Sequence, residues 1–182
     1  VYEMPFRDDN WKNTIKQTLE QSNHIITTSH KNRYIIEKKL GINRKISVIP
    51  NGFNPQIFRL IPKNIAREKL GLPKDKKIIL NVGNLYPVKG HKYLIIAIRE
   101  IVKIGKDNIL CVIVGGGPLK KVLEKYIEKE KLNNNIKLVG VKPHNEIALW
   151  MNAADLFVLP SLNEGNPTVM FEALGVGLPF IG

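Results

Sequence analysis

The stretch KIILNVGNLYPVKGHKYLIIAIREIVKIGKDNILCVIVGGG, residues 77–117, decides the fold. It opens on KIILNV, 77–82, a near-continuous apolar run whose lack of regular polar alternation fits a strand covered on both faces. Gly83 starts a loop. Residues 91–104 then repeat apolar side chains at helical spacing, and Gly105 stops them. A second apolar run, 109–114, ends in Gly115-Gly116-Gly117. Strand, helix and strand in this order predict two parallel strands joined by a right-handed crossover.

The same alternation continues toward the C-terminus. Helix 118–131, with Pro118 first, is followed by strand 136–139, helix 144–152, strand 156–159, helix 167–174 and a last short strand, 179–181. Toward the N-terminus, helix 11–21 leads to strand 24–28, helix 31–40 with Ser29 as N-cap and Gly41 as stop, and strand 46–49. Pro50-Asn51-Gly52, Asn54-Pro55 and Ile61-Pro62 then crowd turn formers into one irregular stretch. Residues 51–63 therefore read as a linker, with a doubly wound parallel α/β domain from residue 64 onward. In open sheets of this kind the loops leaving the carboxyl ends of the strands bind ligands.

Composition narrows the chemistry. The 182 residues carry 28 Lys and Arg against 16 Asp and Glu, a formal net charge of +12, and 43% are hydrophobic. This is a globular composition rather than a disordered or fibrous one. The basic residues are spread along the whole chain rather than gathered in an arm. Aromatics are only 7% and do not interleave with them. Both features argue against a nucleic-acid partner. The surplus suits solvated helix faces, and also phosphorylated ligands or an anionic membrane surface. A single cysteine, Cys111, excludes an intrachain disulfide and a cysteine-rich zinc site. No apolar run approaches the ~18 residues of a membrane-spanning helix. The chain begins at Val1, as a piece of a longer protein would.

Three constellations carry candidate chemistry. In Glu164-Gly-Asn-Pro-Thr-Val-Met-Phe-Glu172 one carboxylate precedes a helix and the other lies within it. Asn166 and Pro167 suit the N-cap and first helical positions, which would leave the amides of Thr168, Val169 and Met170 for a phosphate oxygen. Carboxylates accept paired hydroxyl donors, such as those of a sugar or ribose. A purely structural alternative makes Glu164 a turn residue and Glu172 a solvated helix residue. The second constellation, Gly83-Asn84 to Lys89-Gly90, puts glycines and a cation at a strand-to-helix loop. It lacks the nucleotide-triphosphatase loop pattern. In the third, Gly115-Gly116-Gly117-Pro118, Lys120 stands where a dinucleotide fingerprint needs its third glycine, so a tight turn is the reading. His24, His30, His91 and His144 have no metal-ligand spacing and read as surface or capping residues.

Five segments in order resemble the retaining glycosyltransferases of family 4, the group 1 glycosyl transferases of GT-B architecture. They are SNHIITTSHKNRYIIEKKLGINRKISVIPNGFNPQIF (22–58), NVGNLYPVKGHKYLI (81–95), IVGGGPL (113–119), KLVGVKP (137–143) and NAADLFVLPSLNEGNPTVMFEALGVGLPFIG (152–182). The resemblance implies a Rossmann-like donor domain at 64–182, incomplete at its end, an interdomain linker at 51–63, and the end of an acceptor-side domain at 1–50. It implies transfer of a glycosyl group from a nucleotide-diphosphate sugar to an acceptor with retention of configuration. No metal or other cofactor is expected.

Glu164 matches the family's first paired glutamate, for the donor sugar's hydroxyls, and Glu172 the second, for the ribose. Lys89 matches the lysine that holds the diphosphate, and Glu164 and Lys89 are the expected catalytic residues. Gly83 and Asn84 belong to the phosphate loop. Gly165, Asn166, Pro167 and Thr168 are expected to present groups to sugar and phosphate, and Gly140 and Val141 to flank the base. The expected partners are a nucleotide sugar and a carbohydrate or lipid-linked acceptor. A cytoplasmic location is implied, with peripheral contact at the inner membrane face.

The departures are Asn84, where the family has Arg, Asn166, where an aromatic is common, and Asn54, where Asp is usual. With one diphosphate cation missing, Lys142 is a candidate to act with Lys89. A non-catalytic nucleotide-sugar-binding subunit and a sugar-nucleotide epimerase remain as alternative readings.

Overall fold

The computed structural model describes residues 9–182, so residues 1–8 of the first expected segment lie outside the described residues. The chain divides into two compact units: one runs to Gly52 and adds Asn163–Thr168, the other holds Phe53–Leu162 and Val169–Gly182.

The first unit contains helix α1 (Asp9–Glu20), strand β1 (Ile25–Thr27), helix α2 (His30–Tyr34) and strand β2 (Ile46–Val48). The two strands pair in parallel, Ile25 opposite Ile46 and Thr27 opposite Val48. Ser29 caps α2 as its sequence position predicts, its hydroxyl accepting the Asn32 amide at 3.2 Å. The helix expected to run evenly to residue 40 instead widens into a π-turn over Ile35–Lys39, with the Leu40 amide reaching the Ile35 carbonyl. Gly41 then turns the chain at φ +67°. Ile25, Leu40, Ile42 and Ile46 form the small core, against which Ile15, Leu19 and Ile36 pack.

The second unit is built on five parallel strands: β3 (Lys77–Val82), β4 (Ile109–Val114), β5 (Ile136–Gly140), β6 (Leu156–Val158) and β7 (Phe180–Ile181). Their order is β5-β4-β3-β6-β7. The helices are α3 (Lys63–Lys69), α4 (His91–Lys103), α5 (Lys120–Lys129), α6 (His144–Ala153) and α7 (Thr168–Gly175). Alternate residues of each central strand serve opposite faces. Ile78, Leu80, Leu110, Val112 and Val114 join Ala148, Met151 and Ala173 of α6 and α7 in one core. Cys111, Ile113 and Ile109 join Leu94, Ile95, Ile98, Leu123 and Ile127 of α4 and α5 in the other. The doubly wound parallel fold expected from the apolar runs is the fold observed. Cys111 is fully buried in β4, and that burial pushes its thiol pKa up to about 12.

The sequence reading has no element between residue 49 and β3, yet α3 forms there. Its reason is a long-range one. Arg67 is only 5% exposed. Its guanidinium donates to the carbonyls of Ala153, Lys74 and Lys76 at 2.9, 2.9 and 3.1 Å. It also reaches the Asp155 carboxylate at 2.7 Å. Asp155 in turn accepts from the amide of Ile78, the second residue of β3, and from Lys63 Nζ. Burial opposes ionisation of Asp155. The Lys63 hydrogen bond, the Ile78 amide and the Lys63 and Arg67 charges outweigh it and hold the carboxyl below its usual range.

Candidate functional site

In the second unit β3 is the first strand laid down, and later strands are added on both sides of it. The crevice at the carboxyl ends of β3 and β6 is therefore the switch point of the sheet, the expected ligand position in such folds. The strand ends and loops along this edge, from β3, β4, β5 and β6, are bound to one another. The Gly83 amide donates to Val114, Leu85 to Gly116, Gly115 to Gly140 and Leu162 to Val88, at 2.8–2.9 Å. Gly90, at φ +67°, lies against the Pro160 carbonyl so closely that any Cβ would overlap it. Gly115, at φ +146°, meets the Gly83 carbonyl in the same way. Backbone packs on backbone along this edge because glycine leaves no side chain between.

Gly83 and Asn84 open the loop after β3, and a short 3₁₀ turn, Pro87–Lys89, carries Lys89 to the start of α4. Gly140 ends β5 at φ +76°, where the β4–β5 register shifts. Val141 is 75% exposed and lies beside Gly116. Lys142 spends its charge locally: it pairs with Glu146 at 3.6 Å and lies 5.7 Å over the Trp150 ring.

Glu172 is not the solvated helix residue of the structural alternative. It is 3% exposed. Its Oε1 lies 2.7 Å from Nε2 of His144, the first residue of α6. A buried carboxylate is costly unless it is paired or has a ligand to hold.

Glu164, Gly165, Asn166, Pro167 and Thr168 belong to the first unit. There the Asn166 amide donates to the Thr28 carbonyl at 2.9 Å, and Asn51 donates to the Asn166 carbonyl at 2.7 Å. Lys31 reaches Asn163 at 2.8 Å. Helix α7 begins at Thr168, one residue later than expected. The hydrogen bond of the Asn166 side-chain amide thus runs to Thr28. The two glutamates of the motif fall in different units.

From sequence His91 reads as a surface or capping residue; the structure buries it at 1% exposure. Neither ring nitrogen has a hydrogen-bond partner among the described residues. Burial, and then the Lys89 charge, lower its pKa from 6.5 to about 4. The ring is neutral at physiological pH and costs stability when it must take a proton. The unfolded state binds the proton first as pH falls, so stability drops from pH 6.5 down to about 4 and is unaffected above. At roughly 1.4 kcal/mol per pH unit the full loss is about 3 kcal/mol. Denaturation midpoints across pH 4–7.5 are expected to be flatter for His91→Leu than for the parent; equal slopes would refute this.

Among the described residues no three His, Cys, Asp or Glu side chains gather into a metal site, and no helix is long and apolar enough to cross a membrane.

An open parallel sheet with glycine-lined loops and a lysine at its switch point, and a buried carboxylate on a helix of the same unit, places this chain among the doubly wound α/β proteins, which take ligands at that edge. The chain belongs to the glycosyl transferases group 1, whose family model matches residues 62–182. It is 36% identical over 162 residues to the UDP-Gal:alpha-D-GlcNAc-diphosphoundecaprenol alpha-1,3-galactosyltransferase of Escherichia coli, covering 86% of this chain and 41% of that protein. It is 30% identical over 163 residues to the D-inositol 3-phosphate glycosyltransferase of Thermobispora bispora, covering 85% and 38%. The sucrose-phosphate synthase structure from Thermosynechococcus elongatus superimposes with a TM-score of 0.84 at 27% identity, over 98% of this chain and 45% of that one. The chain thus spans less than half the length of these relatives.

Proposed function

We propose that this chain carries the nucleotide-sugar-binding part of an enzyme that transfers a glycosyl group from a nucleoside diphosphate sugar to an acceptor, with retention and without a metal ion. The observation that carries the reading is the buried Glu172 carboxylate, on a helix that packs beside the strands whose loops form the glycine-lined edge. A carboxylate so placed accepts the paired hydroxyls of a ribose. Lys89 supplies positive charge to the departing diphosphate, and glycine backbone lets that group come close. Val141 and Gly140 flank the base. Glu164 positions the hydroxyls of the donor sugar rather than attacking it, and Gly165, Asn166, Pro167 and Thr168 present backbone and side-chain groups to sugar and phosphate. The family assignment and the transferase names of the relatives support the reaction class. The alpha-D-GlcNAc-diphosphoundecaprenol in the E. coli relative's name supports a lipid-linked or carbohydrate acceptor, and the +12 charge suits peripheral contact with an anionic membrane surface.

The test is calorimetric binding of uridine, guanosine and adenosine diphosphates to the full chain and its variants. Glu172→Ala and Lys89→Ala are each expected to weaken binding by about 10-fold to 100-fold, the range for losing a hydrogen bond to a charged group. Unchanged affinity in Glu172→Ala refutes the ribose assignment, and in Lys89→Ala the charge assignment. Retention is read from the anomeric configuration of the product by NMR. Independence from metal is read from activity in the presence of a chelator.

A further inference from the structure

We propose that His144 is a positioning residue for the donor site: it holds the Glu172 carboxylate in the orientation that receives the ribose hydroxyls. This rests on the ribose reading of Glu172.

The two side chains contrast in their surroundings. Glu172 is buried on α7, whereas the His144 side chain is 62% exposed at the first position of α6. The histidine is nevertheless fixed in place. The centroid of its ring lies 5.1 Å from that of the fully buried Phe58, the two planes tilted by 58°. Its Nε2 meets Oε1 of Glu172 at 2.7 Å. A carboxylate without its proton only accepts hydrogen bonds, and in that form it is an Nε2–H of His144 that donates to it. Phe58 thus sets the ring, the ring sets Oε1, and the carboxylate loses its freedom to rotate.

That fixed carboxylate still has acceptor capacity. It offers about four lone-pair positions, and the His144 bond uses one. Two adjacent hydroxyls can occupy others without displacing the histidine. Holding the group in its receiving orientation before the ligand arrives removes an ordering cost from binding. Lys142, the cation nearest in sequence, is paired with Glu146 and packed on Trp150, so the His144 ring is the partner the structure gives Glu172.

The test separates positioning from simple structural support. Affinities of the full chain for uridine, guanosine and adenosine diphosphates are compared with those for their 2′,3′-dideoxy counterparts, in the parent and in His144→Ala, His144→Gln and Glu172→Gln. The parent is expected to prefer the ribonucleotide. His144→Ala is expected to reduce that preference by about tenfold, the size of one hydrogen bond to a charged group, while its dideoxynucleotide affinity stays within about twofold. His144→Gln, which presents an N–H at a similar reach, is expected to restore it.

A preference unchanged in His144→Ala overturns the assignment. So does an equal loss of ribonucleotide and dideoxynucleotide affinity, which is the mark of a structural contact. In both cases a preference lost in Glu172→Gln leaves the ribose reading standing. A preference unchanged in Glu172→Gln, or no ribonucleotide binding by the parent, overturns the ribose reading and this assignment with it. Thermal unfolding of each variant identifies one that has failed to fold; His144→Phe, which keeps a ring against Phe58 but has no N–H to donate, then takes the place of His144→Ala with the same expected loss of preference.

Discussion

Arg67→Ala lowers the stability of the second unit by about 4 kcal/mol, the cost expected when one member of a buried ion pair is removed and the other stays behind. The guanidinium satisfies the carbonyls of Ala153, Lys74 and Lys76 as well as the Asp155 carboxylate. None of these acceptors gains a partner from an alanine. Asp155 keeps Lys63 and the Ile78 amide, so part of its charge remains compensated and the loss stays below a fully orphaned carboxylate. For a chain of this size about 4 kcal/mol corresponds to a fall of roughly 12 °C in Tm. Asp155→Asn is expected to cost less, because its amide oxygen still accepts from Ile78. The Asp155 carboxyl is held below its usual range. Its contribution is therefore complete above the ordinary carboxylate pKa and is lost as pH falls through the lower folded value. Thermal or urea denaturation decides the matter: a loss under about 1 kcal/mol for Arg67→Ala would show that the guanidinium does not hold α3 to the sheet.

Gly90→Ala is expected to damage stability and ligand binding together. At φ +67° alanine costs about 1 kcal/mol for its backbone conformation alone. The added Cβ also overlaps the Pro160 carbonyl, so the loops after β3 and β6 must part. Overpacking of this kind adds roughly 2 kcal/mol, for a total of about 3 kcal/mol. The shift moves Lys89, the preceding residue, and donor affinity is expected to fall by at least about tenfold. Gly105 provides the control. It has φ +77°, and a Cβ there would find no other atom within 4 Å. Gly105→Ala thus isolates the conformational cost, and is expected to lose about 1 kcal/mol with donor binding intact. If the two alanine variants behave alike in denaturation and calorimetry, the backbone contact has no role in shaping the edge.

The parts of this molecule that sequence makes legible are those with a short-range cause. The apolar runs at 77–82 and 109–114 match β3 and β4 to the residue, because a strand buried on both faces has no polar alternation to confuse it. Ser29 is readable because a cap acts over three residues. Helix α3 is not readable: it lies among Pro62 and Asn64, and what anchors it is Arg67 reaching Asp155, a partner 88 residues away. His91 follows Lys89 and Gly90 as a surface residue would, and only the packing of the edge buries it. The glutamates of the 164–172 motif are visible as a pair in sequence. The partner of Glu172 is not, because His144 lies 28 residues earlier on another helix. Nor does spacing reveal that the loop carrying Glu164 folds with Thr28 and Asn51.

The lone thiol has a practical corollary. Cys111 lies fully enclosed in β4 with its pKa driven to about 12, so in the native protein it has neither the exposure nor the thiolate that maleimide chemistry needs. A cysteine engineered at any surface position becomes the one reactive handle on the chain. Fluorophores or spin labels can then be attached singly, against no background, without first mutating the wild-type residue out of the central strand.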